Sequence, residues 1–328
     1  MELLRIAAML MVLLLHCNYS VLGPITRIDI QSDALGSFMR VFLEQLCLCS
    51  VNVFVLISGW FGIRYKLHGL LSLLFQIVAL AVFVTIFLIP FGIGVPYKDL
   101  FKVFYLGAYY WFVPSYILLY IFSPVLNSFI ESTDREGVKK LLICFFLLEF
   151  ALGWLCDWEH FGLGYSGLSF MGLYLLARYL NKYQGSIFIA SWKQGRYVVS
   201  FLLCSLIPAT ISFFTLRVAN YGFNQLSYAS PFVIAASVSL LLLFTKFEFH
   251  SRFVNWIAAS SFSMYLIQLH PMVWPVWTSS MRTLHGQTGG GNYTVSCLLI
   301  SVIFGMVCII IDQLRILFWN LLTKRQRI

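Results

Sequence analysis

The chain opens MELLRIAAMLMVLLLHCNYSVL (residues 1–22), and this stretch decides the fold class. From Ile6 to Leu15 every side chain is apolar, with Arg5 before the run and His16 after it. About 20 residues at 1.5 Å each cross the roughly 30 Å of bilayer hydrocarbon, so residues 2–22 are long enough to span. A cleavable signal peptide would need a small-x-small site after the apolar run. None follows, and Cys17 is preceded by His16 rather than by the small residue of a lipoprotein processing site.

The same pattern recurs along the whole chain. Apolar runs bounded by Gly, Pro and charge predict further spans at about 38–62, 67–91, 109–130, 138–156, 165–181, 197–219, 229–247, 257–280 and 293–319. Of the 328 residues 60% are hydrophobic and 11% charged, and the mean hydropathy is +0.85, values that no water-soluble globular domain combines. The expected fold is all-α, a polytopic bundle of about ten transmembrane helices. A net charge of +9 would suggest nucleic acid in a soluble chain, but here the basic residues lie in short loops and read as topology signals. With ten spans and both termini inside, only Arg27, Arg40, Lys98, Lys102, Arg217 and Arg282 of the twenty-two basic residues fall outside. That asymmetry predicts an N-in, C-in arrangement.

There is no repeat, no low-complexity tract and no loop long enough for a folded soluble domain, so residues 1–328 read as one membrane domain with none fused to it. Residues Tyr97 to Tyr105 mix apolar and charged faces and suggest either a short interfacial helix or a loop with aromatic anchors. The eight cysteines lie in apolar stretches without metal-like spacing, so no metal site is expected.

Charged and titratable groups at membrane depth are costly and mark candidate sites. Arg5 and His16 are eleven residues apart, about three full turns, so they share a face roughly 16 Å apart along the axis. A histidine at that depth can accept a proton, and an arginine near the inner surface suits an anionic ligand. The structural alternative is a snorkelling arginine and a histidine that hydrogen-bonds between helices.

The sequence here resembles the acyltransferase-3 family of integral membrane acyltransferases of the O-acetyltransferase type. Its most specific mark is Arg or Lys, ten residues, then His on the first span. Glu2-Leu-Leu-Arg5-Ile-Ala-Ala8 and Val12-Leu-Leu-Leu-His16 look like the family's opening and close of that motif. Ser58-Gly-Trp-Phe61 followed by Arg64-Tyr-Lys66 is similar to its Ser-Gly-aromatic segment and trailing basic loop. Weaker likenesses are Tyr110-Trp-Phe-Val-Pro-Ser-Tyr116 and Ser261-Phe-Ser-Met-Tyr265-Leu-Ile-Gln268-Leu-His270-Pro271. The chain departs from many members in starting almost at the first helix.

The resemblance implies transfer of an acyl group, usually acetyl, from cytoplasmic acetyl-CoA or another acyl-CoA to a hydroxyl of a sugar or lipid-linked glycan. It also implies a multi-pass protein of a bacterial inner (cytoplasmic) membrane, acting in contact with membrane lipid and without nucleic acid. His16 is then the expected general base, and Arg5, also a catalytic candidate, joins Arg64 and Lys66 in a basic mouth for the CoA phosphates. Candidates for contact with the substrates are Ser58, Trp111, Tyr116, Tyr265, Gln268 and Glu149. Ser261, Tyr265 and Gln268 share a helix face, a pattern that interhelical hydrogen bonding also explains. Glu149 lies inside an apolar run and is expected to face the cavity or a basic partner. His270, before Pro271, reads as interfacial as readily as functional, whereas Asp312 and Arg315 read as a local i, i+3 ion pair. The rival function is a secondary transporter or exporter of a lipid-linked glycan or small anionic solute. It would show internal repeats and matched Gly/Pro-broken helices, which the chain does not clearly have.

Overall fold

The computed structural model describes residues 1–92, 110–219 and 226–324, so the Tyr97–Tyr105 segment lies outside the described residues. Among them the chain is helical throughout, with no strand. In chain order the helices are α1 Glu2–Cys17, α2 Tyr19–Leu22, α3 Arg27–Ser32, α4 Ala34–Leu48, α5 Ser50–Phe61, α6 Leu67–Leu88, α7 Phe112–Ser132 and α8 Arg135–Leu148. After them come α9 Gly167–Lys182, α10 Gln194–Ala219, α11 Pro231–Thr245, α12 Arg252–Ala259, α13 Phe262–Gln268, α14 Val273–Thr288 and α15 Gly290–Lys324.

Six stretches among the described residues are long and apolar enough to cross a membrane: Glu2–Leu22, Ala34–Phe61, Leu67–Phe91, Phe112–Ser132, Gln194–Ala219 and Gly291–Leu321. The other four expected segments are helical too, but shorter or interrupted. The 138–156 segment is α8 followed by a π-helical turn, Glu149–Leu155. The segments near 165–181 and 229–247 are α9 and α11, of 16 and 15 residues.

The segment expected at 257–280 is broken twice, into α12, α13 and α14. In lipid, backbone groups released by a break must find partners inside the protein. Here serine hydroxyls supply them. Ser261 Oγ donates to Ala258 O (2.9 Å), and Ser263 Oγ donates to Ser260 O (2.7 Å) and Cys308 O (3.0 Å). At the second break Pro271 cannot continue the hydrogen-bond ladder. His270, 1% exposed, spans the gap. Its Nδ1 accepts from the Met272 N–H (3.2 Å), which makes Nε2–H the donor toward Ala81 O (3.2 Å) on α6, with Thr85 Oγ1 at 3.2 Å. The expected Asp312–Arg315 pair is present at 2.6 and 3.0 Å, and Gln76 on α6 adds a third hydrogen bond to the fully buried carboxylate.

Helix α1 is surrounded, packing on α4, α5, α12, α13 and α15. Of its spanning window 56% is buried, and 72% of the Ala34–Phe61 window, against 22% for Phe112–Ser132 and Gln194–Ala219. Helices α1, α4 and α5 therefore lie at the centre of the bundle, whereas α7 and α10 lie at its periphery. Helix α5 crosses α9 so closely at Gly59 that a Cβ there would lie 2.5 Å from Tyr174 O. Only glycine permits that approach.

Candidate active site

Helix α1 carries His16 into the centre of the bundle, where α13 and α14 of the twice-broken segment meet it. His16 Nδ1 lies 2.6 Å from Gln268 Oε1. An amide oxygen only accepts, so Nδ1 carries the ring proton and Nε2 keeps a lone pair. The ring is held edge-on by Trp274 (centroids 5.7 Å apart, 81°) and flanked by Tyr265 (6.4 Å). Gln268 is fully buried, and its Nε2 has no hydrogen-bond partner among the described residues. Leaving a buried amide donor unmade costs about 1–3 kcal/mol, so this glutamine is held in place for the histidine at some expense to stability.

His16 lines a cavity of about 170 Å³ in the middle of the protein. One end of it is apolar and is built by Met9, Phe54, Phe112 and Phe262. One helical turn beyond Met9, Phe54 and Phe112, going away from His16, lie Arg5, Ser58 and Tyr116 respectively. These three are neighbours. Ser58 Oγ and Tyr116 Oη are hydrogen-bonded at 3.1 Å. Arg5 is itself paired with Glu2 through Nη1, at 3.0 and 2.9 Å, with both side chains about one-third exposed. The opposite end of the cavity is polar and aromatic, lined by Tyr19, Ser20, Glu44, Trp111, Tyr165 and Tyr228.

Arg64 and Lys66 are exposed on the turn after α5, at the same end of the bundle as Arg5. Gly62, at φ +74°, ends the helix with a conformation natural to glycine. The turn is then tied down from two neighbouring helices. Asn181 donates to Trp60 O (3.0 Å), Tyr174 Oη accepts from Ile63 N (2.8 Å), and Asn127 donates to Ile63 O (2.9 Å). Tyr120 Oη accepts from Lys66 N (3.2 Å) and donates to Lys66 O (3.0 Å). A second hollow of about 240 Å³ opens beside this region, between Glu2, Phe61, Phe244 and His250.

The structure thus brings His16, Tyr265 and Trp111 to the wall of one cavity, with Gln268 hydrogen-bonded to His16 but not lining it, and Arg5, Ser58 and Tyr116 to a layer next to it. Tyr265 Oη also accepts from Phe112 N (3.4 Å), which ties α13 to the start of α7. Glu149 is elsewhere. It is 1% exposed at the start of the π-helical turn, lies against Ser169, and is not among the residues lining this cavity. The sequence reading overlooked Glu44, which lines the cavity and is 8% exposed. The signal was present, since Arg40 and Glu44 stand four apart inside an otherwise apolar run, the spacing of two facing side chains on one helix.

No curated protein and no solved structure matches the chain. The acyltransferase-3 family model, an acyltransferase domain, matches residues 1–311 of the 328, and the chain therefore belongs to this family of membrane acyltransferases.

Proposed function

We propose that the protein moves an acyl group, usually acetyl, from acyl-CoA on its basic side to a hydroxyl of a sugar in a cell-surface or lipid-linked glycan. The observation that carries this reading is His16 on the wall of a central cavity, with Nδ1–H fixed by Gln268 and no hydrogen bond to Nε2 among the described residues. In the reaction His16 Nε2 takes the proton of the acceptor hydroxyl while its oxygen attacks the thioester carbonyl. The new C–O bond forms, the C–S bond breaks, and the proton passes to the departing CoA thiolate. His16 returns to its starting state and no other reactant is needed.

On this reading the donor enters at the Arg5 end. Arg5, Arg64 and Lys66 meet the CoA phosphates, since guanidinium forks and ammonium groups recognise phosphate. The Arg5–Glu2 contact is an i, i+3 pair about one-third exposed, of the kind worth about 0.3–0.5 kcal/mol, so a polyphosphate can displace Glu2. The pantetheine arm then follows the face of α1 from Arg5 to His16, roughly 16 Å away. Ser58 and Tyr116 line this route. The gathering of the ends of α5, α7, α9 and α11, with Arg64, Lys66, Arg178, Lys182 and Lys246, on the Arg5 side supports a cytoplasmic N-terminus and about ten crossings, with residues 1–328 working as one domain.

Membranes from cells producing the full chain should transfer label from [14C]acetyl-CoA to the cell-envelope glycan, and His16→Ala, inserted at normal levels, should abolish that transfer. Undiminished labelling by the variant would remove His16 from the chemistry. Arg5→Ala should raise the KM for acetyl-CoA about tenfold, the worth of one charge-assisted contact, and an unaltered KM would take Arg5 out of the mouth.

A further inference from the structure

The polar end of the cavity has a construction that the transfer chemistry at His16 does not require. Glu44 on α4 is 8% exposed, and so is Arg40 one turn away. Burying two charges is costly unless each is satisfied. The two are not in direct ionic contact; the side chain of Asn18, two residues past His16, stands between them. Asn18 Nδ2 donates to Glu44 Oε2 (2.6 Å), and Arg40 Nε donates to Asn18 Oδ1 (3.1 Å). Tyr19 N also donates to Glu44 Oε2 (3.4 Å), and Arg40 Nη2 donates to Gly23 O (3.3 Å). Every described bond to the carboxylate goes to Oε2. Oε1 accepts none among the described residues, and the side chain forms part of the cavity wall. Oε1 is therefore an acceptor left open to a guest, beside a cavity that Glu44 helps to line.

Facing the same space is an aromatic wall that the backbone holds rigid. Trp111 stacks on Tyr228 (5.5 Å, 24°), Trp111 contacts Tyr165 (4.4 Å), and Tyr165 contacts Tyr228 (4.7 Å). Asn52 Nδ2 holds Tyr228 O (2.9 Å), and Ser115 Oγ holds Tyr165 O (3.1 Å). A carboxylate oxygen accepts strongly from hydroxyl donors, and aromatic rings take the C–H face of a sugar. An ammonium group would also suit a carboxylate beside rings, but the Arg40 charge one turn from Glu44 opposes a cationic guest.

We infer that Glu44, with the Trp111–Tyr165–Tyr228 wall, is the acceptor subsite, and that it selects a polyol by holding a second hydroxyl on Glu44 Oε1 while the hydroxyl to be acylated lies at His16. This assignment rests on the acyltransferase reading and extends it to the acceptor. It makes a single sugar unit the recognised element. A cavity of about 170 Å³ is smaller than the roughly 300 Å³ at which drug-sized pockets begin, so one ring enters and the rest of the glycan stays outside.

The test uses membranes containing the full-length protein, their own glycan and [14C]acetyl-CoA. Glu44→Gln keeps an oxygen for Asn18 and replaces the free acceptor by a donor. Glycan labelling at fixed acetyl-CoA should fall about 10- to 100-fold, as for loss of a hydrogen bond to a charged group. The KM for acetyl-CoA should stay within about twofold, because the donor side is untouched. Trp111→Ala should lower labelling in the same way, with the same donor KM. Full labelling by Glu44→Gln, or a donor KM that rises in parallel with the loss, overturns the subsite. So does inhibition of the native protein by tetramethylammonium that Glu44→Gln abolishes, since the guest would then be a cation. Labelling that depends on His16 but not on Glu44 defeats only this inference. Absence of labelling by the native protein defeats the acyltransferase reading itself.

Discussion

Two histidines lie inside this bundle, His16 on α1 and His270 at the end of α13, and their surroundings divide their work. His270 has both ring nitrogens engaged, Nδ1 by the Met272 N–H and Nε2 by Ala81 O and Thr85, and it closes a break in the chain. Among the described residues His16 has one nitrogen engaged, by Gln268, and its ring borders a cavity. Burial alone would rank His270, 1% exposed, above the half-buried His16 as a special residue. The count of unused nitrogens beside open space reverses that ranking, because a base needs a lone pair that no neighbour has taken.

The largest test of the contrast is His16→Ala, expected to cost at least about 100-fold in acyl transfer while expression and thermal stability stay near normal. A smaller effect is expected from Gln268→Ala. Without its acceptor the imidazole is free to take either tautomer, and kcat should fall about tenfold with little change in KM. Gln268→Glu keeps an acceptor oxygen on Nδ1 and should recover most of that loss. A Gln268→Ala protein that is merely unstable and is not rescued by Glu would reduce this contact to interhelical glue. The smallest effect on catalysis should come from His270→Ala, which lowers stability by about 1–3 kcal/mol through lost buried hydrogen bonds. Transfer per folded molecule should remain within about twofold of normal. A His270→Ala protein that is stable but inactive would dissolve the distinction.

The α1 half of this site was legible in the sequence because a helix has a fixed period. Arg5 and His16 are related by local geometry alone, and so are Asp312 and Arg315. Gln268 was legible only as one polar position on the Ser261–Tyr265–Gln268 face. Its partner lies 252 residues away, and no local rule supplies a contact of that range. Glu44 was hidden for a different reason. Arg40 fits the pattern of a topology signal near the end of a span, and only the cost of burying it together with its i+4 neighbour points to Glu44. The double break in α12–α14 was hard to foresee because the first break contains neither Gly nor Pro. It is made tolerable by Ser261 and Ser263, whose hydroxyls cap carbonyls within the same few residues, a role that serine also fills in unbroken membrane helices.

The turn after α5 has a consequence for how such a protein changes over time. Its backbone is fixed at Trp60, Ile63 and Lys66 by Asn181, Tyr174, Asn127 and Tyr120, all of which belong to α7 and α9. The side chains of Arg64 and Lys66 make no hydrogen bond or ion pair that shapes it among the described residues. On the proposed reading they resemble replaceable jaws on a fixed vice: substitutions there would alter which anionic handle is gripped without loosening the mount, whereas the residues that hold the mount are written far away in the chain.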